Sequence, residues 1–238
     1  MKLISIIQPS FLPWLGYFEQ MARADVFVHF DDVQYTRKDW RNRNRLKSPN
    51  GIQTITVPVG KHEYGLTPIN EIRIGNVPHW NEKLLQQVSF WYGKSRHFDT
   101  VFPEIRDILL SPFELLVDLN YALTNVLRRY LDISTPQHRS SDIPNSPEDR
   151  NQKIIAICKH HGADLLYDGK AAQSFIDLEL FAAHGVSVIF QDYVHTPYPQ
   201  LWGDFQSHLS ALDLILNCGP ASRDILLSSP VPEALHVA

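Results

Sequence analysis

Continuous apolar runs alternate with stretches of helical spacing along this chain, and that alternation predicts an α/β fold. Residues 3–7 and 26–30 are short, continuous and rich in β-branched side chains, as buried parallel strands are. Between them, Leu15, Phe18 and Ala22 fall on one helical face, with Met21 beside them. A strand, a helix and a strand in so little sequence make a βαβ unit. Residues 165–167, 174–184 and 186–190 repeat the order as a second unit. The expected architecture is βαβ units forming a mostly parallel sheet, with a largely helical middle section.

That middle begins with an alternating segment, Arg41-Asn42-Arg43-Asn44-Arg45-Leu46-Lys47. Extended, it puts its basic residues on one face and Asn42, Asn44 and Leu46 on the other. Ser48-Pro49-Asn50-Gly51 reads as a hairpin turn into a strand over 52–59, which Pro58 ends or confines to an edge. Residues 69–74 read as a further strand, and 79–92 and 102–110 as helices. Ser111-Pro112-Phe113-Glu114 has the form of a capping box before the apolar stripe of Leu115, Leu116, Leu119, Leu123, Val126 and Leu127. Ser146-Pro147-Glu148-Asp149 repeats the signal before Ile154, Ile155, Ile157 and Cys158, and Gly162 ends that helix. The polar, proline-containing stretch 134–146 reads as a connecting loop. It is where the single domain expected over 1–238 would divide, if it divides. A last helix is expected over 208–218.

The chain has 238 residues, ample for a core, and its two cysteines build no disulfide framework. The N-terminal apolar run stops at Gln8, too short for a signal-peptide core, and no stretch approaches the roughly 20 apolar residues of a membrane helix. A cytoplasmic protein without membrane insertion is the expectation. Net charge is −4, yet Arg37, Lys38, Arg41, Arg43, Arg45 and Lys47 face only Asp39 in their own segment. Such a patch on an acidic protein suits a specific anionic ligand better than nucleic acid. A solvated charged loop is the plain alternative.

Candidate chemistry gathers at strand ends, where α/β sheets bind ligands. Residues 8–14, 31–35 and 191–200 all sit there. In the last helix, at about 100° per residue, Ser210, Asp213 and Asn217 form one stripe on an otherwise apolar cylinder. Asp213 is therefore either a site residue or a buried structural carboxylate. On one straight helix His208 and Cys218 would stand about 15 Å apart, too far for a nucleophile and its base. Cys218 with another histidine stays open, and Cys158 reads as core. Adjacent His160-His161 and Asp31-Asp32 point different ways, and no CxxC or HExxH spacing exists, so no metal site and no cofactor are expected. GxGxxG and GxxxxGK[ST] cradles are absent. Asp168-Gly169-Lys170 reads as a structural turn.

The blocks Gln8-Pro9-Ser10-Phe11-Leu12-Pro13-Trp14-Leu15-Gly16-Tyr17-Phe18, Asp31-Asp32-Val33-Gln34-Tyr35 and Trp40-Arg41-Asn42-Arg43 closely resemble the WbqC-like family. Gln191-Asp192-Tyr193, Tyr198-Pro199-Gln200, His208 to Asp213 and Asn217-Cys218-Gly219 extend the resemblance over nearly the whole chain. Asp168-Gly169 departs from it, Ser-Gly being commoner there. A second similarity, of fold alone, relates Trp14-Leu15-Gly16-Tyr17 to the HxGH loop of nucleotidylyltransferases. The glycine is kept and both histidines are replaced.

The family resemblance implies a bacterial protein of surface-polysaccharide (O-antigen) or natural-product biosynthesis. It implies a transferase moving an acyl or aminoacyl group to an amine of a nucleotide-sugar-like intermediate, or a non-catalytic protein binding the same ligand. Partners would be that phosphate-bearing small molecule and an acyl or aminoacyl carrier. In this expectation Lys38, Arg43 and their neighbours hold phosphate, Trp14, Tyr17 and Trp40 stack on a ring or sugar face, and Tyr35 is a further substrate-binding residue. Gln8, Asn42, Asn44 and Gln200 read hydroxyls or amides. Asp31, Asp213, His195 or His208 supplies proton transfer.

Overall fold

The computed structural model describes residues 1–238 except 64, 145–146, 233–234 and 236–238. Its centre is a five-stranded, fully parallel sheet of β1 (Leu3–Ile7), β2 (Val26–His29), β5 (Gln137–Arg139), β6 (Leu165–Gly169) and β7 (Ser187–Gln191). A hairpin of β3 (Arg43–Ser48) and β4 (Gly51–Thr56) forms a separate antiparallel ribbon. The strands of the main sheet run β5-β2-β1-β6-β7, so the chain winds outward in one direction from β1 and resumes on its other side with β6. The carboxyl ends of β1 and β6 are thus the topological switch point, where the connections diverge and leave a crevice.

Both faces of the sheet are covered, as an all-parallel sheet requires. Ile4 and Ile6 of β1 and Val26 and Val28 of β2 point to one side, against α5 (Arg150–His160) and α6 (Leu178–Ala183). Phe27 points to the other side, into the larger core. That core holds α1 (Leu15–Arg23), α2 (Trp80–Tyr92), α3 (Phe98–Leu110), α4 (Leu116–Tyr130) and α7 (Ala211–Cys218). The hairpin closes its edge through Leu46 and Ile55, and α8 (Ser222–Leu227) through Leu226. The α/β reading with a helical middle therefore holds.

Several elements differ from the sequence reading, each for a stated reason. Residues 69–74 make a 3-10 turn over Ile69–Glu71 rather than a strand, though Ile74 and Arg73 make isolated bridges to Val59 and Leu115. Ser111 starts no helix: it closes the C-terminus of α3 instead, its hydroxyl donating to Asp107 O. Residues 113–115 instead run extended, Glu114 O accepting from Ile74 N and Leu116 N donating to Ile72 O, so tertiary pairing overrides the local cap signal. Ser146 lies outside the described residues; Asp149 is the cap of α5, accepting from Gln152 N at 2.9 Å. The stretch 134–146, expected as a loop, supplies edge strand β5. The helix expected from 208 starts at Ala211, capped by Ser210, with His208 before it in the left-handed region (φ 59°).

Candidate functional site

The loop after β1 is clamped into one shape from three directions. Asn44 on β3 donates to Phe11 O (3.1 Å) and Leu12 O (2.7 Å), which secures Leu12 at φ 44°, a costly angle for a branched side chain. Phe11 N reaches Trp40 O, and Ala211 N at the start of α7 reaches Pro13 O. Next comes Gly16, where any Cβ would overlap the indole ring of Trp14. Glycine is thus required because Trp14 folds back over the first turn of α1.

Two cavities open at the switch point and share the wall Ile7, Asp168, Gly169 and Ala171. One, of about 340 Å³, adds Trp14, Tyr17, Gln20, Gln191 and Tyr193. The other, of about 270 Å³, adds Gln8, Thr36, Asp39, Arg41 and Arg150. The loop 35–41 borders the second cavity with Thr36, Asp39 and Arg41. Its Tyr35, Arg37 and Lys38 line a basic cleft of about 590 Å³ together with Asn42, Arg43, Lys61 and His62. One loop thus separates a cationic cleft from the switch point.

Asp168 dominates the electrostatics at the switch point. Burial pushes its carboxyl up to about 6, opposed only by the N–H of Gly169 at 2.7 Å. Behind it lies a buried polar network. Glu19 accepts from Tyr167 OH (3.1 Å) and Gln191 Nε2 (2.6 Å) and pairs with Arg23. Gln191 also donates to Gly16 O (2.8 Å), and its own Oε1 accepts from Gln20 Nε2 (2.9 Å). Arg41 is buried, donates to Gln8 Oε1 at 2.6 Å, and is carried by Asn120 of α4, which donates to its backbone carbonyl.

The residues singled out from sequence divide into groups. Gln8, Trp14 and Tyr17 line the switch-point cavities, and Tyr35, Lys38, Asn42 and Arg43 line the basic cleft. Tyr17 is nonetheless a core residue, its hydroxyl 3.1 Å from His29 Nδ1. Trp14, Trp40, Asn44 and His208 border an aromatic slot of about 240 Å³ with Arg45, whose guanidinium lies 5.2 Å from the Trp40 ring centre. His195 and His208 do meet, ring centres 4.3 Å apart, against Trp14. Burial, and then the nearby His208, lower His195 to about 4, so it is neutral at pH 7.

Asp31 and Asp213 are fully engaged elsewhere. Asp31 accepts from Tyr121 OH (2.8 Å), Ser141 N (3.0 Å) and the Ser140 and Ser141 hydroxyls. Asp213 is wholly buried and accepts from Tyr92 OH (2.6 Å), Tyr198 OH (2.8 Å) and Gln200 Nε2 (3.0 Å). Gln200 also takes Lys47 Nζ (3.2 Å), so it too is committed within the fold. Asp213 lines none of these cavities, whereas Gln8 lines the second switch-point cavity. Cys218 borders a cavity of about 490 Å³ beside His97, but burial raises its thiol pKa, the opposite of an activated nucleophile. Cys158 is core, its thiol pushed up to about 12 by burial.

Sequence reasoning missed Asp168, Gln20, Arg150 and the buried Glu19. Gln20 and Glu19 sit on α1 where an amphipathic helix normally faces water. Two adjacent polar residues inside the first βαβ helix were the available signal. Among the described residues no group of three or more His, Cys, Asp or Glu could hold a metal ion, and no helix is long and apolar enough to cross a membrane.

A five-stranded parallel sheet with cavities at its switch point defines an α/β protein of the doubly wound kind. Within that class, residues 8–225 match the WbqC-like protein family, and the chain belongs to it. An uncharacterized protein, Rv1507c of Mycobacterium tuberculosis (strain ATCC 25618 / H37Rv), is 34% identical over 228 residues, covering 95% of this chain and 98% of that protein. No solved structure matches this chain.

Proposed function

We propose that this protein is a transferase acting on a phosphate-bearing, sugar-like small molecule, moving an acyl or aminoacyl group from a carrier onto an amine. The observation that carries this reading is Asp168, a carboxyl tuned to about 6 in the wall shared by the two switch-point cavities. That value keeps most of the carboxylate ionised near pH 7 while leaving it basic enough to take a proton. The attacking amine forms the new C–N bond to the acyl carbon. The bond from that carbon to the carrier breaks, its electron pair leaving on the carrier. The proton released by the amine passes to the Asp168 carboxylate.

The substrate's phosphate lies in the basic cleft in this reading, where Lys38, Arg43 and Lys61 offer charge-assisted hydrogen bonds. The 35–41 loop lines both that cleft and the second cavity, which suits a ligand anchored at one end and reacting at the other. Trp14 and Trp40 offer ring faces. His195, neutral at pH 7 beside His208, is the second group able to move a proton. The setting is surface-polysaccharide or natural-product biosynthesis in the cytoplasm.

The test is a thermal-shift screen against nucleotide sugars with and without an amino group, followed by turnover with acyl and aminoacyl carriers. An amino-sugar nucleotide should raise the melting temperature. Asp168→Asn should keep the phosphate-dependent part of that shift and lose about 10²–10⁴ in turnover. Binding without any transfer would make the chain a ligand-binding protein of the same pathway instead.

A further inference from the structure

The six basic residues between 37 and 47 do not form one patch. Arg41 turns inward to Gln8 (2.6 Å), and Arg45 lies over the Trp40 ring (5.2 Å). Lys47 is buried against Gln200 (3.2 Å) and the carbonyls of Gly203 (3.0 Å) and Asp204 (2.6 Å). Arg37, Lys38 and Arg43 instead line the basic cleft, where Lys61 joins them from the segment after β4. No acidic residue lines that cleft. Asp39, next to Lys38 in sequence, borders the second switch-point cavity and faces Arg41 (3.9 Å) and Thr36 (2.6 Å). Arg43 makes no ion pair among the described residues.

The two sides of the cleft, residues 35–43 and 59–62, are tied together by the fold itself. The carbonyl of Asn42 accepts from Val57 N and its Nδ2 donates to Val57 O, both at 2.8 Å. Tyr35 N donates to Thr67 O (3.0 Å), and the Tyr35 ring stands edge-on to His62 (5.1 Å). Tyr35 is only 3% exposed, and it lines this cleft and neither switch-point cavity. Its hydroxyl has no hydrogen-bond partner among the described residues, yet it is not one of the buried polar atoms sealed from solvent. It is thus a donor left over at the wall of the cleft. Burial raises the pKa of that hydroxyl, and Arg43 is the charge that opposes the rise most, so guanidinium and phenol lie within electrostatic reach of each other. Four basic side chains gathered without an acid repel one another unless an anion lies among them. The cleft, at about 590 Å³, has the size of a site for a whole small molecule rather than for one phosphoryl group. With donors on both sides, two linked phosphoryl groups use more of them than one can.

We propose that the basic cleft is a diphosphate site, taking two linked phosphoryl groups as in a nucleoside diphosphate or its sugar ester, with Tyr35, Lys38, Arg43 and Lys61 donating to their oxygens. The assignment rests on the reading that places the substrate's phosphate in this cleft, and deepens it by naming the class of phosphate. It makes Tyr35 and Arg43 the residues that distinguish a diphosphate from other anions. Recognition of the diphosphate is a matter of binding, separable from turnover.

Calorimetry at fixed ionic strength with inorganic pyrophosphate, inorganic phosphate and citrate tests it without any acyl donor. One pyrophosphate should bind per chain, at least about tenfold more tightly than phosphate, because the second phosphoryl group adds its own charge-assisted bonds. Citrate, a multivalent anion of different shape, should bind at least about tenfold more weakly than pyrophosphate. Arg43→Gln should lower pyrophosphate affinity by about tenfold or more, and Tyr35→Phe, which removes one hydroxyl, by severalfold. Lys83→Gln takes a charge from the exposed side of α2, outside the cleft lining, and should change nothing. Melting curves show that each variant is folded. Equal binding of phosphate and pyrophosphate by the wild-type protein would overturn the assignment, with no variant needed. So would equal binding of citrate, the mark of plain charge attraction, or pyrophosphate affinity that survives Arg43→Gln. A pyrophosphate preference without any transfer would defeat the transferase reading and leave the diphosphate site standing. Transfer to an amine by a protein without that preference would do the reverse.

Discussion

At the residue scale, three buried or half-buried aspartates have opposite meanings. Asp31 and Asp213 are saturated with hydrogen bonds from tyrosine and serine hydroxyls and backbone, which makes them struts. Asp168 has one local bond and a carboxyl raised to about 6. A carboxyl whose folded-state pKa lies above its unfolded value favours folding below the unfolded pKa, near 4, and loses that advantage as pH rises through the folded value near 6. Near pH 7 the ionised Asp168 is therefore a net cost. Asp168→Asn should stabilise the protein near neutrality by about 1–3 kcal/mol, and the gain should vanish below pH about 4. Urea unfolding of both proteins across that range checks it; an Asn variant less stable at neutral pH would mean that Asp168 is a strut like the others. Removing a strut acts the other way. Asp213→Ala leaves the hydroxyl protons of Tyr92 and Tyr198 without an acceptor in the core and should cost about 3 kcal/mol or more.

At the scale of elements, the strands and the first βαβ helix could be read from sequence because their burial follows one rule along their length. Continuous apolar runs gave β1, β2, β6 and β7 almost to the residue, and alternation gave the β3–β4 hairpin. Elements decided by distant partners could not be read that way. β5 is only three residues, Gln137–Arg139, and exists because β2 offers it an edge; residues 111–115 forgo their capping box to pair with the 72–74 segment. The candidate site divides along the same line. Gln8 and Trp14 were visible at a strand end, whereas the place of Gln20 in the network behind Asp168 depends on Gln191, 171 residues away, which accepts from its amide. Likewise Asn44 looked like a ligand reader and is a bracket for the β1–α1 loop. Gly16 is the element's most exacting position. Gly16→Ala should displace the Trp14 indole, cost about 1–3 kcal/mol through overpacking, and weaken ligand binding together with stability. Tryptophan fluorescence and a melting curve would show both. A variant with unchanged emission would mean that the ring moves aside freely.

On the scale of the whole molecule, histidine burial sets the response to acid. His29 on β2, His161 at the end of α5 and His195 beside Trp14 each have a pKa lowered to about 4, with burial the leading cause in every case. They lie in different parts of the structure, His29 facing the large core, His161 packed on His138 and His160, and His195 on Trp14, so no single local rearrangement relieves all three. In the unfolded chain each would take up a proton near pH 6.5. A group whose folded-state pKa is depressed leaves stability intact above the unfolded value and removes it as pH falls towards the folded value, because the unfolded state then binds more protons. The window is therefore about pH 6.5 down to about pH 4. Asp168, raised to about 6, works against this trend in the same window, but it is one group against three. Net stability should fall steadily from pH 7 to pH 4. Double substitution of His161 and His195 by glutamine, which stays neutral, should flatten the fall while leaving stability at pH 7 within about 1 kcal/mol. Denaturant unfolding at intervals of pH gives the slope directly. A slope near zero between pH 6 and pH 4 in the wild-type protein would show that these imidazoles take up protons in the folded state as readily as in the unfolded one.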